Sequence, residues 1–217
     1  MNAHDIVQKI GAGIQEALQT CQLFLGAEQI EFENAKIHPE YVTTIKVAEQ
    51  LTGPDVVVCL ESLMKTLRCD AIKYANMMNL NDKNKRNNYY KKAIKYKFGK
   101  NDKKRLDILV KNSDSPTVPR LFAEVKLFYT NKKGILNDID RIFHLLDMYR
   151  ATGIIGNISI YGAVSFHILK EGANAQVLLR KTSKLMESIN GHLLSIKKNN
   201  QWLKCLARKE LSDFRAL

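Results

Sequence analysis

Within residues 104–128, KRLDILVKNSDSPTVPRLFAEVKLF, three side chains have the types that metal-assisted phosphodiester chemistry uses: Asp107, Glu124 and Lys126. Hydrolysing a phosphodiester requires an activated water, neutralisation of the phosphorus oxygens and help for the leaving alkoxide. A hard divalent cation held by carboxylates supplies part of each. Magnesium keeps several waters, so two or three protein oxygens suffice, and manganese accepts the same donors. Asp107 and Glu124 are the expected ligands, with the backbone carbonyl of Val125 as a third. Lys126 would orient or deprotonate the water, although a lysine of ordinary pKa, about 10.4, needs burial or a nearby cation to act as a base.

Two strands must position these groups. Over 105–111, Leu106, Ile108 and Val110 face one way, and Asp107 and Leu109 the other. Residues 112–119 are turn chemistry. Over 120–128, Leu121, Ala123, Val125 and Leu127 form one face, with Phe122, Glu124, Lys126 and Phe128 on the other. Glu124 and Lys126 then point the same way, about 6–7 Å apart. The competing reading is an exposed sheet face carrying a cross-strand Lys–Asp pair of little energetic weight. The triplet recurs at Asp102-Lys103-Lys104, in a charged stretch without alternation.

Around the strands, apolar spacing predicts a helix over 4–25. A short extended piece is expected near Ile30 and Phe32. Pro39 opens a second helix with Glu40 in its first turn and Tyr41, Ile45, Ala48 and Leu51 as its stripe. Residues 55–61 read as a strand buried on both faces, ending at Glu61. That residue is either a further acid of the cluster or the lead into the next helix, which Ser62 caps and which runs to about Met78, with Leu63, Leu67, Ala71 and Met78 inward.

Residues 131–134 are expected to end the strand from 120. Helix 135–150 turns Ile135, Ile139, Ile142 and Leu146 inward and leaves Asp138, Asp140, Arg141 and His144 on its polar side. The two acids are explained by helix-end electrostatics, and Arg141 and Lys133 are candidates for touching phosphate. A strand over 157–168, a helix over 174–198 and a shorter amphipathic piece with Trp202, Leu206 and Phe214 complete the chain.

The 217 residues carry a formal charge of +12, concentrated in one place. Residues 81–105, NDKNKRNNYYKKAIKYKFGKNDKKR, hold eleven Lys and Arg against Asp82 and Asp102, a local balance of +9. Such a field attracts polyanions. Lys83, Lys85, Arg86, Lys91, Lys92, Lys95, Lys97, Lys103 and Lys104 are the candidate nucleic-acid contacts. Tyr89, Tyr90, Tyr96 and Phe98, interleaved among them, suit stacking or sugar contacts. The bland alternative is a solvated loop; its Asn-rich start reads as loop, with a helical turn or strand near 89–98.

Four scattered cysteines without a CxxC pair argue against a zinc site or disulfide framework and read as buried free thiols. No apolar run reaches the roughly 20 residues of a membrane span, and the N-terminus lacks the pattern of a signal peptide, so a cytoplasmic location is expected.

Asp107 followed by Glu124-Val125-Lys126 on consecutive strands resembles the PD-(D/E)XK nuclease superfamily, the restriction-endonuclease-like fold. Its core order of helix, three strands, helix and strand maps onto residues 39–168. The resemblance implies an α/β fold with a small mixed β-sheet flanked by helices, here with extra N- and C-terminal helices. The length and the lack of a Gly/Ser linker point to one domain over 1–217, with a helical extension over 1–38, a basic insertion over 79–104 and C-terminal helices over 173–217. The family often adds an acid from the first core helix, which here matches Glu40 as a fourth metal ligand. The implied activity is magnesium-dependent DNA endonuclease cleavage, with RNA as the other candidate substrate and a homodimer for paired cuts. The alternative is a nucleic-acid-binding protein on the same fold without catalysis. Two departures stand out: Leu106 where proline is common, and the long insertion over 62–104.

Overall fold

The computed structural model describes residues 2–25, 39–78, 81–95, 104–115, 117–128, 132–151, 159–168 and 175–203. The expected extended piece at Ile30 and Phe32, the aromatics Tyr96 and Phe98, and the C-terminal Leu206 and Phe214 lie outside them, as do Lys97 and Lys103. The chain forms two compact units, Met1–Leu127 with Asn137–His167, and Phe128–Leu136 with Ile168–Leu217.

The first unit is built on a four-stranded open mixed sheet in the order β1 (Val56–Leu63), β2 (Arg105–Asn112), β3 (Pro119–Phe128), β4 (Tyr161–Ile168). The β1–β2 and β2–β3 pairs are antiparallel. The β3–β4 step passes through helix α5 (Lys132–Arg150), the kind of crossover that a parallel neighbour requires.

Helices α1 (Ala3–Leu25) and α2 (Pro39–Leu51) cover one face of the sheet. Asn2 and Asp5 exchange backbone-to-side-chain hydrogen bonds of 3.0 Å, a reciprocal cap on α1. Ile6, Ile10, Val47 and Leu51 pack onto Ile108, Val110, Leu121 and Val125 in a shared core. The two helices touch backbone to backbone at Gly13, where a Cβ would lie 2.5 Å from the Val47 Cα.

The inward stripe of α2 differs from the expected one. Ala48 and Leu51 are buried as expected, but Tyr41 is 51% exposed and Ile45 half-buried, and Thr44 and Val47 are buried in their place. Glu40 stands one turn before Thr44, at the N-terminal end of that inward stripe, rather than on a solvent face.

Helices α3 (Met64–Met78) and α5 lie against the opposite face. The Phe122 and Tyr149 rings meet at 5.5 Å, the Tyr149 hydroxyl donates to the Leu67 carbonyl at 3.0 Å, and Lys111 pairs with Asp70 at 2.8 Å. On β4, a Cβ at Gly162 would lie 2.3 Å from Ile142, so α5 packs directly onto that strand.

Several boundaries depart from expectation. β1 runs on to Leu63, so Ser62 is strand rather than cap, and the inward residues of α3 are Met64, Leu67, Asp70, Ala71 and Ala75, while Leu63 and Met78 are exposed. β1 is an edge strand with Val57, Leu60 and Leu63 exposed, not one buried on both faces. Helix α5 starts at Lys132, ahead of the expected 135, and β4 starts at Tyr161. The Asn-rich start of the basic segment is helical: α4 (Lys83–Ala93), capped by Asp82, whose carboxylate accepts the Lys85 N–H at 2.9 Å.

Of the thiols expected to be buried, Cys21 is, Cys59 is half-buried and Cys69 is exposed; Cys205 lies outside the described residues. Among the described residues no helix is long and apolar enough to cross a membrane.

The second unit is dominated by α6 (Ala175–Asn199), with Leu185 and Ile189 buried one turn apart. Trp202 lies just beyond it, in a turn.

Candidate active site

The β2–β3 register pairs Ile108 with Ala123 and Leu109 with Phe122. One step further along the same register sets Asp107 opposite Glu124, and the two carboxyls interact side chain to side chain. The alternation of the two strands thus brings together the acids that it nominates. Asp107 Oδ2 also accepts the Val125 N–H at 2.8 Å, which ties the carboxylate to the backbone of β3. Val125 meets the site through this backbone, while its side chain lies in the core with α1 and α2.

Lys126 completes the cluster. Its Nζ lies 3.0 Å from Glu40 Oε1, 3.4 Å from Asp107 Oδ2 and 4.0 Å from Glu124 Oε2. Three elements, α2, β2 and β3, therefore direct one ammonium and three carboxyls to one point. Burial works against the charge on Lys126, but Asp107, Glu40 and Glu124 outweigh it and hold the group above the ordinary lysine range. The expected role of Lys126 as a base does not fit this environment; it is a fixed cation and hydrogen-bond donor.

Glu124 is 1% exposed, so the reading of this face as an open sheet surface is overturned. Burial, then the neighbouring Asp107, pushes its carboxyl up to about 9, against the pull of Arg141. Arg141 does not face outward to phosphate as expected. Its Nε lies 2.9 Å from Glu124 Oε1, and its other arm meets Asp138 in a hydrogen bond. The Arg141–Glu124 contact is an ion pair by distance without an aligned hydrogen bond, and neither of these two atoms has another hydrogen-bond partner among the described residues. Asp138 is buried with it, its carboxyl raised by burial. The helix-end account of Asp138 therefore fails. No hydrophobic pattern predicts this brace, because its members are the polar residues that periodicity assigns to the outside.

Glu61 lies on β1 between Leu60, paired with Ile108, and Ser62, paired with Leu106, so its register position faces Asp107. It has φ 51°, a left-handed conformation rare for a residue with a side chain. No hydrogen bond or ion pair of Glu61 with the cluster is present among the described contacts, so its place in the site rests on register alone.

The donor set suits a hard cation. Asp107 and Glu124 offer oxygens only, and Glu124 Oε2 lies on the side away from Arg141. Among the described residues no group of three or more His, Cys, Asp or Glu is arranged to hold a metal.

Of the candidate polyanion contacts, Lys83, Lys85, Lys91 and Lys92 are exposed on α4, Arg86 is half-buried, and Lys95 and Lys104 are exposed beside it and before β2. Tyr89 is not available for stacking: it is buried, and its hydroxyl donates to the Met148 carbonyl on α5 at 3.2 Å. No family model, no curated protein and no solved structure matches the chain.

Proposed function

We propose that this chain is a magnesium-dependent nuclease, with DNA as its substrate and an endonuclease of restriction-like type as its class. The observation that carries the reading is the convergence of Asp107, Glu124 and Lys126, with Glu40, from three separate elements. Of these, Glu124 is almost fully buried and its carboxyl strongly perturbed. Buried carboxyls held next to one another oppose folding, and such arrangements concentrate where a site needs them.

Asp107, Glu124 and the Val125 carbonyl would hold the cation, magnesium or manganese, which supplies charge neutralisation and a more acidic water when bound. The chain's own residues do the rest. Lys126, charged throughout the neutral range, orients the attacking water or a phosphate oxygen by donating a hydrogen bond. Glu40 fixes the Lys126 ammonium from α2. Arg141, braced by Asp138, meets one oxygen of Glu124 and so leaves the other toward Asp107 and Lys126. The basic face of α4 binds phosphates flanking the scissile bond. One site cuts one strand, so paired cuts in a duplex call for two copies of the chain.

A second reading, nucleic-acid binding on this fold without catalysis, is favoured by one observation. Lys126 is already satisfied by Glu40 and Asp107, as in a structural ion-pair cluster. Plasmid nicking separates the two. Wild type is expected to nick supercoiled plasmid with magnesium or manganese, to stop with EDTA, and to lose the activity in Lys126→Ala. Binding without cutting under every divalent cation tried would leave only the second reading.

A further inference from the structure

We infer that the outward face of α4 is a platform for single-stranded nucleic acid, with an unpaired base stacked on Tyr90 and the neighbouring lysines on its phosphates. This rests on the nucleic-acid half of the proposed function and narrows its substrate class.

The sequence of α4, KNKRNNYYKKA, carries two adjacent tyrosines, and successive helical residues point about 100° apart. The fold uses them differently. Tyr89 is buried and, with Ala93, forms the inward side of the helix; its hydroxyl donates to the Met148 carbonyl. Tyr90 faces out at 52% exposure, and Ile94, one turn further, is 45% exposed. Arg86, one turn before Tyr90, and Lys83, two turns before it, share its side of the helix, and Lys91 lies about 100° further round.

The outward face therefore joins a planar aromatic ring to a dense positive charge. A duplex offers such a face only phosphates, which lysines alone can bind. An unpaired base also offers a π face, which a tyrosine can cover. A membrane surface fits poorly, because Tyr89 and Ala93 are buried in the fold and Tyr90 and Ile94 alone are too small an apolar stripe for an interfacial helix.

The platform is also fixed in place. Met148 lies seven residues beyond Arg141 on α5, about 10 Å along that helix. The Tyr89–Met148 bond thus holds α4 two turns from the brace behind Glu124.

The test is fluorescence anisotropy with a labelled single-stranded oligonucleotide and the duplex of the same length, in EDTA so that nothing is cut. Wild type is expected to bind the single strand more tightly. Tyr90→Ala should weaken single-strand binding roughly 5- to 150-fold, leave duplex binding within about twofold and keep the salt dependence unchanged. Tyr90→Phe should bind like wild type. Lys83→Ala with Lys91→Ala should weaken both ligands and flatten the salt dependence. Tyr90→Ala weakening both ligands equally, or neither, overturns the inference. Cutting is read separately with magnesium, so a chain that binds as described without cutting removes the nuclease reading and leaves this one standing.

Discussion

Arg141 Nε lies 2.9 Å from Glu124 Oε1, so a guanidinium from helix α5 meets a carboxyl at the centre of the sheet. The pair divides the two oxygens of Glu124, one toward Arg141 and the other toward Lys126. It also explains how a carboxyl with almost no exposure is tolerated beside Asp107. The positive charge behind it opposes the repulsion in front.

Removing that support should be costly. Arg141→Met leaves Glu124 and Asp138 buried without their cation, and breaking such a pair costs on the order of 3 kcal/mol. The melting temperature is expected to fall by about 6–12 °C for a chain of this size. Adding Asp138→Leu to Arg141→Met should recover part of the loss, since one orphaned carboxyl is then gone. Arg141→Lys should not restore activity, because a point charge cannot hold two carboxyls as a planar fork does.

Glu124→Gln should separate stability from activity. The amide keeps the shape of the side chain, accepts from Arg141 and donates to Asp107, and is uncharged like the protonated carboxyl that burial favours at neutral pH. In EDTA at neutral pH the variant is expected to be as stable as wild type, within about 1 kcal/mol. Plasmid nicking should fall roughly 100-fold or more, as when a single charge-stabilising group is lost from an active site. A clear loss of stability would mean that the carboxylate of Glu124 is structural.

The sheet and its two facing acids are legible in the sequence because strand alternation is a backbone property. Once Leu121, Ala123 and Val125 are inside, Glu124 and Lys126 must share the other side. Periodicity is silent on whether that other side is covered. Tyr149 and Arg141 of α5 close it, and Arg141 and Asp138 belong to the polar stripe that pattern reading assigns to solvent. Helix α4 is hidden for a related reason. Only Tyr89 and Ala93 are buried, too few to make a stripe, and the helix depends on the Asp82 cap and on docking through Tyr89. The end of β1 escapes pattern reading because Glu61 keeps to the strand with a positive φ, which no composition rule anticipates.

Two glycine substitutions should have opposite signs. A Cβ at Gly13 would press into the Val47 backbone, and helix backbones cannot yield as a flexible side chain can. Gly13→Ala is expected to cost about 1–3 kcal/mol, as overpacking does, and to lower the melting temperature accordingly. Gly191 lies within α6, and a Cβ added there would meet nothing within 4 Å. Gly191→Ala should stabilise by about 0.5–1 kcal/mol through helix propensity alone. Thermal melts of both variants check the pair.

Tyr149 predicts the alkaline limit of the fold. It is fully buried, its hydroxyl donates to the Leu67 carbonyl, and burial, followed by the nearby Asp70 and Tyr89, raises its ionisation well above the ordinary tyrosine value of 10.0. The folded chain therefore keeps this proton at a pH where the unfolded chain has released it. Its contribution to stability is fully present below pH 10 and is lost as pH rises beyond that value toward the folded-state ionisation. Urea midpoints are expected to decline up to about pH 9, where the folded chain releases the Glu124 proton, and to fall again above pH 10, where Tyr149 contributes. Tyr149→Phe has no proton to lose. It should give up about 1 kcal/mol at pH 8 with its hydrogen bond and show a shallower decline above pH 10. Equal declines in the two proteins would place the alkaline sensitivity elsewhere.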